Sequence, residues 1–422
     1  MHSTLYLSLL ALLSVAVQAN AATITVPTQQ ASIQAAVNAA AAGDTIVVKP
    51  GTYEENVTIP TGLDGLTVKA VGGAGKVILD CRPSGATDTG GGFLVSSSNV
   101  TIQGFVIRHA KGGSSATGVF TPIPVSGLTL RKLVIEHADG AAIQVAGADA
   151  TIDSCVAIGC DGGIRIAGSG GLITKCTVRQ DGERGIDING DDGTVSKCVV
   201  VTIEDGSGIS INGLNGVIEK NVVDGADAAA ILISGNNPTV RGNKILRQCD
   251  DDCGIEVSGA SVGVIEKNLV RNTYEDGIEI QATASGLTIS KNTIIGCGTE
   301  DEPGIQLDGN NCVVANNVIK GAYADGINVG GDGNSLVDNT IVDCFEDGID
   351  IRIGADGTTV SGNKCLKNRG EGFENNGANT TLTGNTMKNN RIDFADDGTF
   401  ATTPSGNSFT TGGVGTAPEI DD

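Results

Sequence analysis

The sequence predicts an all-β protein: a right-handed parallel β-helix of about thirteen coils with a short N-terminal capping helix. Three observations predict this fold. A short motif recurs along most of the chain, a second column of residues keeps step with it, and the composition suits short strands joined by tight turns. The 422 residues include 62 Gly, no Trp and only 2 Met. Because each coil of a solenoid packs only on its neighbours, this length requires no division into several domains.

The recurring motif is Gly-Ile-x-Ile or a close relative. Its first apolar residue falls at positions 143, 164, 186, 209, 231, 255, 278, 305, 327, 349 and 373, so the repeat length varies from 21 to 27 residues. Alternating apolar residues predict half-buried strands, and the repeated glycines suit turns that need positive φ. Crossovers between parallel strands are right-handed in nearly all proteins, which sets the predicted hand.

A second column has the same period and contains Cys155, Cys176, Cys198, Asn221, Asn243, Asn268, Asn292, Asn317, Asn339, Asn363 and Asn385. Stacked Asn side chains at an inward bend can bond to one another and to turn backbone, so these residues are interpreted as scaffold. The three Cys are expected to face inward as reduced, apolar side chains. Cys249 and Cys253 lie close together in one loop and are predicted to form a disulfide.

The chain divides into four predicted regions. An apolar run from Leu5 to Val17 and the small residues after it indicate a signal peptide over 1–21. Residues 22–44 are predicted to form an N-terminal strand and the capping helix, with Ser32 as N-cap. The β-helix is predicted over 45–395, and 396–422 form a C-terminal cover and tail. The protein is therefore expected to be secreted, periplasmic or at the cell surface, with no membrane span.

The formal net charge is −22. A strongly acidic chain is unsuited to nucleic acid, whose phosphates require a basic face, and to anionic membranes. An uncharged or cationic partner fits better, and a polyanion would need bridging cations.

The segment SIQAAVNAAAAGDTIVVKPGTY, residues 32–53, resembles the entry to the pectin-lyase-like superfamily, in which a capping helix leads to the first strands and a Pro-Gly-Thr-Tyr turn. The repeats and their Asn ladder resemble the β-helix of the same superfamily. The resemblance implies the fold and the polysaccharide-directed chemistry that many members share. The polygalacturonase, epimerase and Trp-containing esterase motifs are missing here, so the resemblance implies no particular activity.

The variable residue x of each motif should face solvent, because the residues on either side of it face the core. Acidic residues gather in this column and in the turns before it, between about 250 and 350. Glu256 and Glu279 should lie one strand apart, at about 4.8 Å, where two carboxylates repel and can serve as a catalytic pair. The predicted catalytic residues are Glu256, Glu279, Asp187 and Asp350.

Two further sets complete the predicted site. Carboxylates in the turns offer the oxygen ligands that Ca²⁺ prefers, so Asp252, Asp276, Glu300 and Asp301 are predicted to bind Ca²⁺. Tyr274, Tyr323 and Phe345 each follow a ladder Asn by six residues and could stack on sugar rings. Packing of the turns against the coils is the alternative explanation for these aromatics.

These features predict a secreted protein that binds or processes polysaccharide, as a uronate-type lyase or a hydrolase. A non-catalytic surface or matrix protein that binds glycan or calcium, or a periplasmic accessory protein, is the alternative. Cleavage of pectate, alginate or neutral glycans, with and without Ca²⁺, would distinguish the two.

Overall fold

The computed structural model describes residues 21–81, 91–112, 116–247, 252–259, 261–298, 302–410 and 414–415. Its strands form three parallel sheets of 16 strands each, and the chain passes from one sheet to the next around each coil. Nearly all of the predicted signal peptide, together with Cys249, Glu300 and Asp301, lies outside the described residues. No helix within the described ranges is long and apolar enough to cross a membrane.

Sheet A begins the stack. Its strands are Thr23–Val26, Thr45–Val48, Thr67–Ala70, Thr101–Gln103, Thr129–Arg131, Thr151–Asp153, Leu172–Thr174, Thr194–Ser196, Val217–Glu219, Thr239–Arg241, Ser261–Glu266, Ser285–Ser290, Val313–Ala315, Ser335–Val337, Thr359–Ser361 and Thr381–Thr383.

Sheet B includes the strands that follow the Cys and Asn column. Its strands are Gly51–Glu54, Val77–Asp80, Val106–Arg108, Val134–Glu136, Val156–Ile158, Thr177–Asp181, Val199–Ile203, Val222–Ala226, Lys244–Ile245, Leu269–Arg271, Thr293–Ile295, Val318–Lys320, Thr340–Val342, Lys364–Leu366, Thr386–Lys388 and Ser408–Phe409.

Sheet C contains the Gly-Ile-x-Ile motifs. Its strands are Val57–Ile59, Phe93–Val95, Val119–Phe120, Ala141–Ala146, Gly162–Ala167, Ile186–Ile188, Ile209–Ile211, Ile231–Ile233, Ile255–Val257, Ile278–Ile280, Ile305–Leu307, Ile327–Val329, Ile349–Ile351, Phe373–Asn375, Phe394–Asp396 and Val414–Gly415.

The stack has about 16 coils, and the predicted number of about thirteen is wrong. The early coils carry neither repeating column, and their spacing is irregular: the sheet C strands that begin at Val57, Phe93 and Val119 are separated by 36 and then 26 residues. At the other end, Ser408–Phe409 and Val414–Gly415 pair with the preceding coils inside the predicted C-terminal tail. The coil stack therefore begins earlier and ends later than the motif.

The core is a column of buried aliphatic side chains enclosed by the three sheets. On sheet C the predicted alignment is confirmed, because Ile255, Ile278, Ile305, Ile327 and Ile349 pair in succession and are fully buried. The motif glycines serve close packing rather than positive φ. A Cβ on Gly277 would lie 2.5 Å from Ile294 Cγ2 and 2.6 Å from the carbonyl oxygen of Gly304.

The predicted Asn ladder is also confirmed. Each Asn from Asn221 to Asn385 donates its side-chain N–H to the Oδ1 of the Asn on the next coil, at 2.9–3.1 Å. The column continues one coil beyond its predicted end, to Asn407. Cys155, Cys176 and Cys198 are buried free thiols at the N-terminal end of the same column.

A single helix, Ile33–Ala39, lies among the described residues near the start of the stack. The Ser32 side chain accepts the N–H of Ala35, as expected of an N-cap. Ile33, Ala36 and Val37 are buried, and the helix contacts the first strands of sheets A and C.

Candidate functional site

The outward side chains of sheet C form one continuous column along the molecule. In the order of strand pairing they are Gln144, Arg165, Asp187, Ser210, Leu232, Glu256, Glu279, Gln306, Asn328, Asp350 and Glu374. Glu256 and Glu279 are direct partners, as predicted. Asp187 lies three strands before Glu256, and Asp350 lies three strands after Glu279, which is about 14 Å in each case. The four predicted catalytic residues therefore do not form one site.

Several of these residues do not face solvent, contrary to the prediction. Asp187, Ser210, Gln306 and Asn328 are all less than 9% exposed. Their side chains point away from the core, but the turns before each strand and the neighbouring long side chains cover them. Asp187 shows the cause: its Oδ2 lies 3.2 Å from Arg165 Nε and 3.5 Å from Arg184 NH1.

The two arginines and the surrounding acidic turns line a shallow groove of about 260 Å³. Its walls include Asp139, Asp161 and Glu183 from successive coils. Since the arginines pair with Asp187, they act here as ion-pair partners, and the groove is separate from the paired glutamates.

A compact group of acidic side chains surrounds one thiol in the turns that precede Ile255 and Ile278. We call Asp252, Cys253, Glu275, Asp276 and Glu279 the Cys253 cluster. The Cys253 Sγ lies 3.8 Å from Glu275 Oε2, 3.8 Å from Asp276 Oδ2 and 3.5 Å from Glu279 Oε2. Two triads of potential metal-ligand atoms share this thiol: one with Asp252 and Glu275, the other with Asp276 and Glu279.

The Cys253 cluster bears on two predictions, the Cys249–Cys253 disulfide and the set of calcium ligands. Cys253 carries a free thiol, contrary to the predicted bridge with Cys249, which itself lies outside the described residues. Asp252 and Asp276, two of the four predicted calcium ligands, both lie beside Cys253 but in different triads, and Glu300 and Asp301 lie outside the described residues. Cys253 and Asp276 both stand two residues before the first Ile of their motifs. That shared position was the signal in the sequence that they stack on adjacent coils.

Crowding of carboxyl groups changes the ionisation of this region. Burial, reinforced by the charges of Asp252 and Glu279, raises the pKa of Glu256 to about 7. Burial and the charge of Glu302 raise the pKa of Asp276 to about 9. The Gln281 side chain donates a hydrogen bond of 2.6 Å to Glu256 Oε1 and so orients that carboxyl group.

Asp350 belongs to a second acidic group, formed with Asp325, Asn328, Asp347 and Glu371. The Asn328 Nδ2 donates to Asp325 Oδ2 at 2.9 Å and to Asp350 Oδ2 at 3.3 Å. Burial, together with the charge of Asp325, raises the pKa of Asp347 to about 11 and that of Asp350 to about 8. Within this group, Asn328 lies two strands and Asp350 three strands after Glu279.

The predicted aromatic residues are partly exposed rather than packed into the core. Tyr274, Tyr323 and Phe345 are 39%, 45% and 39% exposed. The rings of Tyr323 and Phe345 stack with centroids 4.8 Å apart and an interplanar angle of 14°. We call the Tyr323–Phe345 stack the aromatic ridge. Arg369 lies at its end, with its guanidinium carbon 3.7 Å from the centroid of Phe345. It follows Asn363 by six residues, so the spacing that identified the aromatics also identifies Arg369.

Comparison with solved structures finds the same fold in several enzymes. A PL6 alginate lyase in complex with a trisaccharide is 15% identical, with a TM-score of 0.52 over 76% of this chain and 85% of that chain. The catalytic domain of a GH87 alpha-1,3-glucanase in complex with tetrasaccharides is 14% identical, with a TM-score of 0.51 over 82% and 70%. The A-module of the mannuronan C-5 epimerase AlgE6 from Azotobacter vinelandii is 15% identical, with a TM-score of 0.40 over 90% and 95%.

At these identities the alginate lyase and glucanase structures show a shared fold and nothing finer. No curated protein sequence matches the chain. The family model described as the right handed beta helix region matches residues 162–311 and 303–415, which together span more than half of the chain. The matched region contains the ladder from Asn221 onward, the paired glutamates and the aromatic ridge. The chain belongs to the right-handed β-helix family.

Proposed function

We propose that this is a secreted, carbohydrate-active protein that binds a polysaccharide along the outer face of sheet C and cleaves it as a hydrolase or a uronate-type lyase. The observation that carries the proposal is the pairing of Glu256 with Glu279 on sheet C, together with the exposed Tyr323–Phe345 stack in the turns that lead into later strands of that sheet. Acid–base groups can cleave a glycosidic bond, and exposed aromatic rings nearby can hold the sugar chain.

The paired glutamates have a spacing suited to glycosidic bond cleavage. Adjacent strands lie about 4.8 Å apart, close to the separation of about 5–5.5 Å between the two carboxyl groups of retaining glycosidases. Glu256, whose raised pKa lets it hold a proton near neutral pH, is the proposed proton donor to the leaving oxygen. Gln281 fixes the orientation of the Glu256 carboxyl group through its hydrogen bond.

The aromatic ridge provides the proposed binding platform for the sugar chain. Tyr274 precedes the strand of Glu279, while Tyr323 and Phe345 belong to the coils of Asn328 and Asp350. The ridge therefore extends about 10–14 Å along the stack from the paired glutamates. A polymer that follows this direction would contact the rings and the carboxyl groups together. The oligosaccharides present in the alginate lyase and glucanase structures are consistent with such use of the fold.

The proposal is tested by measuring cleavage and binding of alginate, pectate and neutral glucans. Glu256→Gln should lower the rate of cleavage by about 100-fold or more while leaving binding intact, because only proton transfer is removed. Tyr323→Ala should weaken binding of the same polymer. Glu266→Gln, which changes a glutamate on sheet A, is the matched control and should behave as the wild type.

Two results would overturn the proposal. Full cleavage activity in Glu256→Gln would show that Glu256 does not take part in the reaction. Failure of every tested polysaccharide to bind would show that the aromatic residues do not form a binding platform for these polymers. Binding without cleavage, abolished by Tyr323→Ala, would instead support the non-catalytic alternative, in which the rigid stack only holds glycan.

A further inference from the structure

The Cys253 thiol lies in surroundings that a thiol alone does not satisfy. It is buried, and oxygen atoms of three carboxyl groups lie 3.5–3.8 Å from its sulfur. A thiol has one proton and can donate one weak hydrogen bond. When the three carboxyl groups are ionised, at least two of these contacts place an oxygen lone pair against sulfur without a proton between them.

One carboxyl group of the cluster has a buried oxygen without a partner, although Asp252 accepts the backbone N–H of Cys253 and Glu279 accepts from Gln281. Asp276 is 5% exposed, its Oδ2 faces the thiol, and its buried Oδ1 has no hydrogen-bond partner. Within the described part of the chain, no Lys, Arg or His forms an ion pair with a carboxyl group of the Cys253 cluster. Buried charge of one sign without a counter-charge is costly, and the cost is relieved either by protons, as on Asp276, or by a bound cation.

The distances in the cluster match those around a tetrahedral zinc-class ion. With metal–sulfur and metal–oxygen bonds of about 2.3 and 2.1 Å, two tetrahedral ligands stand about 3.6 Å apart. The Cys253 sulfur lies 3.5 Å from Glu279 Oε2 and 3.8 Å from Asp276 Oδ2. The ligand atoms of this triad all lie within 4.8 Å of one another.

We propose that Cys253, Asp276 and Glu279 bind a divalent zinc-class metal ion through one thiolate and two carboxylate oxygens. Binding releases to solvent the thiol proton and the proton that Asp276 holds at neutral pH, and the positive ion then stabilises the thiolate and both carboxylates. Three protein ligands leave a fourth position for water or substrate. The thiolate distinguishes this site from a calcium site, because Ca²⁺ takes oxygen ligands.

The inference concerns the same face as the proposed function but does not depend on polysaccharide cleavage. It assigns Glu279 to the ion, so Glu279 would not act as the nucleophile of a retaining pair while the ion is bound, and it leaves proton transfer to Glu256. Binding of the metal is measured without polysaccharide, so failure of either proposal can be recognised independently of the other.

Cobalt(II) provides the test, because a thiolate bound to cobalt gives an intense near-ultraviolet charge-transfer band. The purified protein is freed of metal with a chelator, reduced and titrated with Co²⁺. One equivalent should produce the band, and Zn²⁺ should then displace Co²⁺ and remove it. Cys253→Ser should abolish the band, and Asp276→Asn should weaken Co²⁺ binding roughly tenfold or more.

Two cysteine variants serve as matched controls. Cys344→Ser changes a buried thiol elsewhere in the stack, and Cys249→Ser changes the neighbouring cysteine in sequence; both should retain the band. Folding of each variant is checked by circular dichroism, and if Cys253→Ser is unfolded, Asp276→Asn decides the result. Absence of the band from the wild type, its persistence at full strength in a folded Cys253→Ser or Asp276→Asn variant, or its loss in Cys249→Ser would overturn the inference. Equal competition by Ca²⁺ would do the same.

Discussion

Asp347 shows how strongly this fold shifts the ionisation of individual side chains. Its Oδ1 accepts the backbone N–H of Glu371 at 2.5 Å, and Asp325 contributes a further nearby carboxyl group. Burial and the charge of Asp325 raise the pKa of Asp347 to about 11. A carboxyl group whose pKa rises on folding binds its proton more tightly in the folded chain than in the unfolded chain. Its stabilising effect is complete below the ordinary pKa of about 4 and is lost as the pH rises through the folded-state value.

We therefore expect the melting temperature to fall between about pH 5 and pH 9, and Asp347→Asn to reduce that fall. Asparagine keeps the acceptor for the Glu371 N–H but has no proton to lose. Asp338→Asn, at an exposed position, is the control and should leave the slope of the wild type unchanged. Scanning calorimetry across the pH range provides the measurement. Parallel curves for the wild type and Asp347→Asn would contradict the expectation.

At the scale of residues, the sequence predicts which side chains are partners on adjacent strands better than it predicts how deeply each side chain is buried. The repeat places Glu256 beside Glu279, because strand register follows directly from the period. Burial of Asp187 does not follow from the period, since it depends on where the side chains of Arg165 and Arg184 lie. The closeness of Cys253 to Cys249 in the chain predicts a disulfide, whereas the position of Cys253 in the repeat places it against Asp276 on the next coil.

The Asn column is the element whose interactions are most uniform. Asn317 accepts the backbone N–H and the side-chain N–H of Asn292, at 2.9 and 3.0 Å, and donates to Asn339 Oδ1 and to the Ile289 carbonyl. One side chain thus connects several coils. Replacing it with an apolar residue of similar size leaves buried donors and acceptors on both neighbours without partners.

We expect Asn317→Leu to lower the free energy of unfolding by about 1–3 kcal/mol, the cost of leaving a buried polar group unsatisfied. Lys320→Leu is the matched control, because it makes the same substitution at an exposed position three residues away. Thermal and urea unfolding of both variants would measure the difference. Equal stability of Asn317→Leu and the control would show that the column contributes no net stability.

The number of coils was underestimated because the columns that reveal the period begin late. The strands Phe93–Val95 and Val119–Phe120 belong to sheet C but have neither the Gly-Ile-x-Ile motif nor a ladder residue. Only pairing with Val57–Ile59 and Ala141–Ala146 identifies them as coils. The repeat length of the motif therefore predicts the coils in the regular middle of the stack, whereas the coils at the irregular ends are identified only by their strand pairing.

The whole molecule is a rod whose length follows from the number of strands. Sixteen strands in each sheet, at about 4.8 Å per step, give a stack about 72 Å long before side chains and terminal segments are added. Small-angle X-ray scattering at low concentration should show an elongated particle with a maximum dimension slightly above this length. A dimension near twice that length would mean that the rods associate end to end in solution, and a compact, near-spherical particle would contradict the single stack.

The variable repeat length has an evolutionary consequence. The interval from Ile278 to Ile305 is 27 residues, against 21 from Ile143 to Ile164, yet both pairs remain in register within sheet C. Four of the six extra residues fall between the paired positions of sheets B and C and two between those of sheets C and A, while the pairing of the strands is unchanged. Insertions and deletions in these turns can thus occur without loss of the strand pairing that holds the coils together. A lineage of such proteins can change what it recognises one coil at a time.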